Sequence, residues 1–401
     1  MKKILILGAG IYQVPLIAKA KQMGYYTVVV SVKGNYPGFE IADKIYYENT
    51  TDIDACIKIA KYEQVSGVCT TGTDVALPAL GAICDELGLK GVSQHSAKLS
   101  SNKLLMKEAF LINDVRTAKY LKVSNLEECK EASRQLEFPV ILKASDTSGS
   151  RGIYIVKNEN DVENAYQSVI PYTKKKYILV EQFLEGEEFG AQSFIYNGHI
   201  QFFMPHGDYI YQAKTGIPTG HYVPVESITD EVLQDSIKQV EKSVKALNIN
   251  NAAINADLML CNGKVYVLEI GARAGATCLP EMVSEYYGID FYEYILRVAM
   301  NEDLTKFSFS KHNPCVAKLI ISEKSGVISK ISLPKKNENV IRMSLDYKIG
   351  DKINKFQNGT DRIGEVIVKG KILQEAMKNC NNVMKEIIVE VDNKINNNDT
   401  I

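Results

Sequence analysis

No stretch of this 401-residue chain is apolar for the roughly 20 residues that a bilayer-spanning helix requires. The opening MKKILILGAG has two lysines, but its apolar run stops after four residues at a glycine turn, too short for the core of a secretory signal. Both absences predict a cytoplasmic protein without a membrane partner. A basic excess is missing as well: 47 Lys and Arg face 48 Asp and Glu, for a net charge of −1. Charge therefore gives no reason to expect nucleic acid. The eight cysteines (Cys56, Cys69, Cys84, Cys129, Cys261, Cys278, Cys315 and Cys380) contain no C-x-x-C pair. Several sit in apolar runs, so they read as buried free thiols in a reducing compartment. No internal repeat is visible. What remains, 45% hydrophobic and 24% charged residues, is an ordinary globular protein long enough for two to four domains.

A further absence lies at the N-terminus. Lys3–Leu7 is a buried-strand run, Gly8-Ala9-Gly10 a turn, Val14–Met23 a helical pattern and Thr27–Val32 a second strand, which together predict a β-turn-α-β unit with a parallel sheet. Asp52–Tyr62 (helix), Gly67–Thr71 (strand) and Ala76–Leu87 (helix) extend it into a Rossmann-like half-fold. Yet the third glycine of a dinucleotide fingerprint is replaced by Gln13. The second strand ends in Val30-Ser31-Val32-Lys33, without the acid that would take a ribose hydroxyl. A dinucleotide site is excluded on those grounds.

Beyond residue 98 the pattern alternates strands and helices with glycine-rich interruptions, an α+β signature. Ser100 or Ser101 is expected to cap a helix over Lys103–Phe110. Phe138–Ala144 and Gly152–Val156 read as strands flanking a Ser/Gly loop, Asp161–Val169 as a helix, and Tyr177–Val180 as a strand leading into the acidic segment 181–188. Residues 204–225 read as a long loop, a length that usually signals function. Thr229–Leu247 and Glu281–Met300 read as helical. Several strands and a helix over Leu373–Lys385 follow, before an Asn-rich tail.

The most informative stretch is AAINADLMLCNGKVYVLEIGARAG, Ala252–Gly275. Apolar, β-prone arms on either side of Asn262-Gly263 predict a hairpin. Each arm carries one acid, Asp257 and Glu269. A carboxylate in a half-buried strand needs a partner or a cation, and Mg2+ takes carboxylate oxygens together with substrate phosphates. Arg273 can hold an anionic group bidentately; the competing reading is that it pairs with Glu269. Register decides whether the two acids can share an ion. A regular two-residue turn puts them on opposite faces, so a shared metal demands an odd-length turn or a compensating bulge.

Four features now stand in order: Lys103 on a helix; Lys143 on a strand before Ser148-Gly149-Ser150-Arg151-Gly152; the segment Ile178–Glu188; and the Asp257/Glu269 pair. Lysines on opposite sides can neutralise phosphates, and Gly/Ser backbone amides form an anion-binding concavity. This set resembles the ATP-grasp superfamily over essentially residues 1–390. Its carboxylate–amine ligases are the most similar subgroup, among them L-amino-acid ligases and the pyrrolysine-biosynthesis ligase, with carbamoyl phosphate synthase and biotin carboxylase further off.

The resemblance implies a Rossmann-like pre-ATP-grasp domain (residues 1–97), an ATP-grasp domain (98–310, with a mobile lid at about 115–180) and a small C-terminal α+β domain (311–395). It implies ATP and Mg2+ (or Mn2+) as cofactors. Lys103 and Lys143 would touch phosphates, with Ser148, Gly149, Ser150 and Gly152 covering them. Glu181, Phe183 and Leu184 would line the adenine pocket, Glu188 would take the ribose, Asp257 and Glu269 the metal, and Arg273 the acyl phosphate. Lys103 alone would otherwise pass for a solvated helix lysine, and most of the acidic cluster at 185–188 for a solvated face. Many relatives carry a metal-binding Asn where this chain has Gly271, so water or Asn255 would have to complete the shell. The expected activity is ATP-dependent activation of a carboxylate as an acyl phosphate and its joining to an amine, with His221, Tyr211 and Thr215 at the small-molecule substrates. His206 and His221 could equally serve their own loop. Competing readings are carboxylation of the biotin-carboxylase or carboxyaminoimidazole type and a non-catalytic nucleotide sensor; homodimer formation is left open.

Overall fold

Four short parallel strands open the chain. β1 (Lys3–Leu7), α1 (Val14–Gln22), β2 (Tyr26–Ser31), α2 (Gly38–Ile41), β3 (Lys44–Tyr47), α3 (Ile53–Glu63), β4 (Gly67–Cys69) and α4 (Leu77–Leu87) form a sheet of order β3-β2-β1-β4. Leu5, Leu7, Val28 and Val30 are fully buried, because a parallel sheet is covered on both faces. Gln13 fills the turn where a third glycine is missing. Its Oε1 accepts from the Gly10 amide at 2.9 Å, and its Nε2 donates to the Thr71 carbonyl. Gly8 (φ +101) leaves no room for a Cβ, which would lie 2.9 Å from Gln13 Oε1. The turn is closed by a buried side chain.

The computed structural model describes residues 1–147, 152–212 and 216–392. After α5 (Gln94–Ser100), α6 (Lys103–Ile112) is capped by Asn102, whose Oδ1 accepts from Leu105 N at 3.2 Å, rather than by either serine. β5 (Tyr120–Val123), α7 (Leu126–Leu136), β6 (Val140–Lys143), β7 (Ile153–Val156), α8 (Val162–Val169) and β8 (Ile178–Gln182) follow. Their antiparallel sheet, order β5-β8-β6-β7, has a separate core of Val140, Leu142, Val156, Val162, Ile178 and Val180. Gly152 (φ +66) closes the connection between β6 and β7: a Cβ there would meet Tyr172 Cβ at 2.7 Å and Ala144 Cβ at 3.0 Å.

β9 (Glu187–Tyr196), β10 (His199–Gln212) and β11 (Gly216–Val223) correct one expectation outright. Residues 204–225 are mostly two paired strands, not a loop: β10 and β11 run antiparallel with Asp208 opposite His221. The connection, Ala213-Lys214-Thr215, contains no Gly, Asn or Pro to announce a turn. α9 (Asp230–Ala246) starts from Thr229, whose Oγ1 caps Val232 N. β12 (Ala252–Cys261) and β13 (Lys264–Gly271) make the expected hairpin, and β13-β12-β9-β10 is the strand order.

Residues 281–300 are helical as expected, in two helices, α10 (Leu279–Tyr287) and α11 (Phe291–Ala299), separated at Gly288 (φ +65). β14 (Cys315–Ile320), β15 (Gly326–Ser332), β16 (Val340–Leu345), β17 (Lys352–Ile353), β18 (Gly364–Lys369), α12 (Leu373–Glu386) and β19 (Ile388–Asp392) complete the described chain. By contacts, residues 1–205, 226–276 and 290–307 form one unit, and 206–225, 277–289 and 308 onward a second. In the second, β11-β14-β18-β16 and β17-β15-β19 are sheets, with Val316, Val366, Ala376 and Cys380 in its core. Among the described residues no helix is long and apolar enough to cross a membrane.

Candidate active site

The hairpin resolves the register question by the second of the two allowed routes. Its turn has two residues, Asn262 (φ 49) and Gly263 (φ 73), with Cys261 opposite Lys264. Positive φ at both positions fits the primed turn that strand twist favours. A bulge between Asp257 and Leu258 then skips Leu268, and Asp257 ends opposite Glu269. The pairing of β9 with β12 sets Glu188 opposite Met259, Gly190 opposite Asp257 and Gln192 opposite Asn255. Since side chains alternate, one sheet face carries Glu188, Gln192, Asn255, Asp257 and Glu269. The other face, with Ala191, Ile254, Ala256, Leu258 and Val267, is fully buried.

Cations reach this face from other elements. Lys103, at the first turn of α6, donates to Glu269 Oε2 at 2.9 Å and to the Thr147 carbonyl at 2.8 Å. Lys143, at the end of β6, donates to Glu181 Oε2 at 3.0 Å, and Lys107 lies 3.2 Å from the same oxygen. Lys107, one helical turn beyond Lys103, is buried and also donates to Thr117 Oγ1 at 2.8 Å. Burial opposes the charge of Glu181, but Lys107 and Lys143 outweigh it and hold its pKa down at about 2. Burial likewise opposes the charge on Lys143; attraction to Glu181, Glu269 and Glu188 prevails and raises its pKa. Lys107 moves the other way, since burial dominates and Lys143 repels it. One carboxylate thus serves two ammonium groups, a net positive buried triad. The other oxygen of Glu181, and Ser145 Oγ, are buried without a hydrogen-bond partner among the described residues.

Arg273 does not pair with Glu269. Its Nε and Nη2 donate to Asp74 Oδ1 and Oδ2 at 2.9 and 2.8 Å, a bidentate fork. Burial works against its charge, but Asp74 first, then Asp257 and Glu269, raise its pKa. Asn255 is a buttress: its Nδ2 donates to Asp257 Oδ1 at 3.0 Å, while its Oδ1 accepts from Gln192 Nε2 at 2.6 Å. Gln192 Oε1 in turn accepts from Gly275 N at 2.8 Å. Asn255 is thus tied to Gln192 through its oxygen and to Asp257 through its amide nitrogen.

The structure therefore gathers Lys103, Lys143, Glu181, Glu188, Asp257, Glu269 and Arg273 into one electrostatic neighbourhood. Phe183 and Leu184 follow β8 directly, half-buried. Ser148, Gly149, Ser150 and Thr215 lie outside the described residues. His221 and Tyr211 belong to the second unit. His221 is buried, its Nδ1 2.6 Å from Asp208 Oδ1; His206 Nδ1 is 3.0 Å from the same oxygen. Among the described residues each ring keeps a buried Nε2 without a partner, and the triad is compact enough to hold a metal ion. Tyr211 is exposed at the phenol and donates to Glu323 Oε2 at 2.8 Å. Sequence reasoning missed Lys107, Asp74 and Gln192. Lys107 was findable, as a lysine four residues after Lys103 on an apolar helix face; nothing local marked Asp74 or Gln192.

An antiparallel hairpin with facing acids, with Lys103 of a helix on Glu269 and Lys143 of a separate four-stranded sheet nearby, suits a metal-bound phosphate. The model of the phosphoribosylglycinamide synthetase ATP-grasp (A) domain matches residues 101–278, and that of the L-amino acid ligase C-terminal domain 2 matches residues 318–392. The crystal structure of phosphoribosylglycinamide synthetase from Anaerococcus prevotii is 35% identical, with a TM-score of 0.85 over 98% of this chain and 100% of that one. The chain belongs to the ATP-grasp superfamily, within its carboxylate–amine ligases. It is an ADP-forming enzyme that uses ATP to make carbon–nitrogen bonds between small molecules. It is also similar to the phosphoribosylamine–glycine ligase of Fusobacterium nucleatum subsp. nucleatum (24% identical over 95% of each chain). A third relative is the alanine–anticapsin ligase of Bacillus subtilis (26% identical over 69% of this chain and 65% of the relative).

Proposed function

We propose that the enzyme phosphorylates the carboxylate of an amino acid and passes the acyl group to an amine. The names of two relatives each carry an amino acid, glycine in one and alanine in the other, and an L-amino acid ligase domain matches the C-terminal part. The observation that carries the chemistry is the bulged register, which sets Asp257 against Glu269 within reach of Lys103. Two hard oxygen donors on one face suit Mg2+. Bound there, the ion would draw charge from the phosphate oxygens during transfer.

The chain's own residues have the remaining tasks. Lys103 exchanges Glu269 and Thr147 for phosphate oxygens, and Lys143 does the same while Lys107 keeps Glu181 neutralised. Glu181 offers its unpartnered oxygen to a donor on the nucleotide base, with Phe183 and Leu184 beside it and Glu188 toward the ribose. Arg273 takes the charge that develops on the acyl phosphate, electrostatic stabilisation of the kind such transfer needs. Carboxylation is the second reading, favoured only by shared fold. The test is phosphate release from ATP across a panel of amino acids, singly and in pairs: release that requires two of them supports ligation, and bicarbonate-dependent release without an amine supports the alternative.

A further inference from the structure

Gly271 explains itself once Asp74 is seen beside it. A Cβ at position 271 would lie 3.1 Å from Asp74 Oδ1 and 3.6 Å from Arg273 Cζ. The volume that a longer side chain would fill is taken by the Asp74–Arg273 fork. Asp74 comes from the loop after β4, in the Rossmann-like part, and that loop is held firmly. Thr70 Oγ1 donates to the Leu7 carbonyl at 2.6 Å, Thr71 Oγ1 to the Tyr12 carbonyl at 2.8 Å, and Gly72 N to the Ala274 carbonyl at 3.1 Å. Gly72 (φ +66) allows the close approach, since its Cβ would strike Tyr12 Cβ at 2.7 Å. Asp74 is thus presented, with 18% of its side chain exposed, at the point where Arg273 faces the two hairpin acids.

We propose that Asp74 binds the ammonium group of the amine substrate. This rests on the ligase mechanism above. Arg273 has one guanidinium and two anions to serve. Before transfer it is neutralised by Asp74; when the acyl phosphate forms, the guanidinium turns to the new dianion. Asp74 is then a partly buried carboxylate without its counter-ion, an expensive state unless another cation arrives. The protonated amine is that cation, and binding it at Asp74 sets the nitrogen beside the activated carbonyl. Once one proton has passed to water, the neutral amine attacks, forming the C–N bond and breaking the bond between the acyl carbon and the phosphate oxygen. Of the two protons lost from nitrogen, one leaves on the phosphate as HPO4 2− and one goes to water. The exchange also imposes order, because the amine subsite becomes anionic only after the carboxylate is phosphorylated.

Hydroxylamine separates this role from a structural one, since it is uncharged at neutral pH and traps acyl phosphates as hydroxamates. Asp74→Asn should raise KM for the cationic amine at least tenfold, leave KM for ATP within about twofold, and lower hydroxamate formation far less than amide formation. Asp74→Glu should recover part of the amine affinity. Equal loss of hydroxamate and amide would overturn the proposal and leave Asp74 as a clamp on Arg273; so would an unchanged KM for the amine. If the unsubstituted enzyme forms no hydroxamate with any carboxylate, the acyl-phosphate reading itself fails and takes the inference with it.

Discussion

The two hairpins β12–β13 and β10–β11 are built alike and partner their acids in opposite ways. Both are antiparallel and both are bulged; β12–β13 carries Asp257 and Glu269 on one face, and β10–β11 carries the single acid Asp208. On β12–β13 the partners are borrowed: Lys103 comes from α6, and Arg273 lies past the strand and is held by a loop of the Rossmann-like part. On β10–β11 the partners are internal, since Asp208 is flanked by His206 and His221 of the same two strands. A borrowed cation can be surrendered to a ligand, because the element that supplies it is anchored elsewhere. An internal pair cannot dissociate without disturbing the strands that carry it. The first hairpin is organised for exchange and the second for permanence.

Substitutions can break or sharpen that contrast. Glu269→Gln should have the largest effect, a loss of about 10²–10³ in kcat/KM, with a thermal midpoint close to that of the parent. A change of less than threefold in steady-state turnover would remove Glu269 from the reaction. Asp208→Asn should act in the opposite sense, lowering stability by about 2 kcal/mol in chemical denaturation while altering kcat/KM much less than Glu269→Gln. If its kinetic effect were the larger, the second hairpin would not be the permanent one. Gly263→Val should cost about 1–2 kcal/mol, because a β-branched residue resists positive φ; an unchanged denaturation midpoint would contradict the primed turn.

The smallest effect concerns acid. Glu181 is held down at about 2 in the folded chain, against the 4.5 of an ordinary glutamate. The unfolded chain therefore binds the extra proton first, and this contribution to stability, complete above pH 4.5, is lost as pH falls toward 2. Lys107→Met removes one of the two lysines that depress it, the one whose charge contributes more, and should move acid unfolding to higher pH. No shift in the acid transition, followed by circular dichroism, would show that Lys143 alone sets the charge.

The same contrast shows what the sequence could disclose. β12–β13 was legible because Asn262-Gly263 is a turn signal with a physical cause, and because an acid in each apolar arm needs explaining. The demand that both acids share a face required either an odd-length turn or a compensating bulge, but did not decide between them or give the bulge's position at Leu268. β10–β11 was misread as a loop because Ala213-Lys214-Thr215 carries no turn chemistry and its arms interleave Gly207, Pro205 and Pro218 with aromatics. The split of residues 281–300 hung on Gly288 in an otherwise helical pattern. Lys143 and Glu181 could be named, but not the fact that they bind each other, since 38 residues separate them. Asp74 is 199 residues from Arg273, and no local pattern spans that distance. Chemistry-bearing residues were readable one at a time; their pairings belong to the tertiary structure.

The central claim, that a carboxylate oxygen leaves on the phosphate, can be measured directly. With the carboxylate substrate labelled in both oxygens with 18O and an amine present, mass spectrometry of the products should find ADP and one 18O atom in each inorganic phosphate released. Unlabelled phosphate, or AMP and pyrophosphate as the stoichiometric products, would contradict the acyl phosphate and with it the roles assigned to Lys103, Lys143 and Arg273.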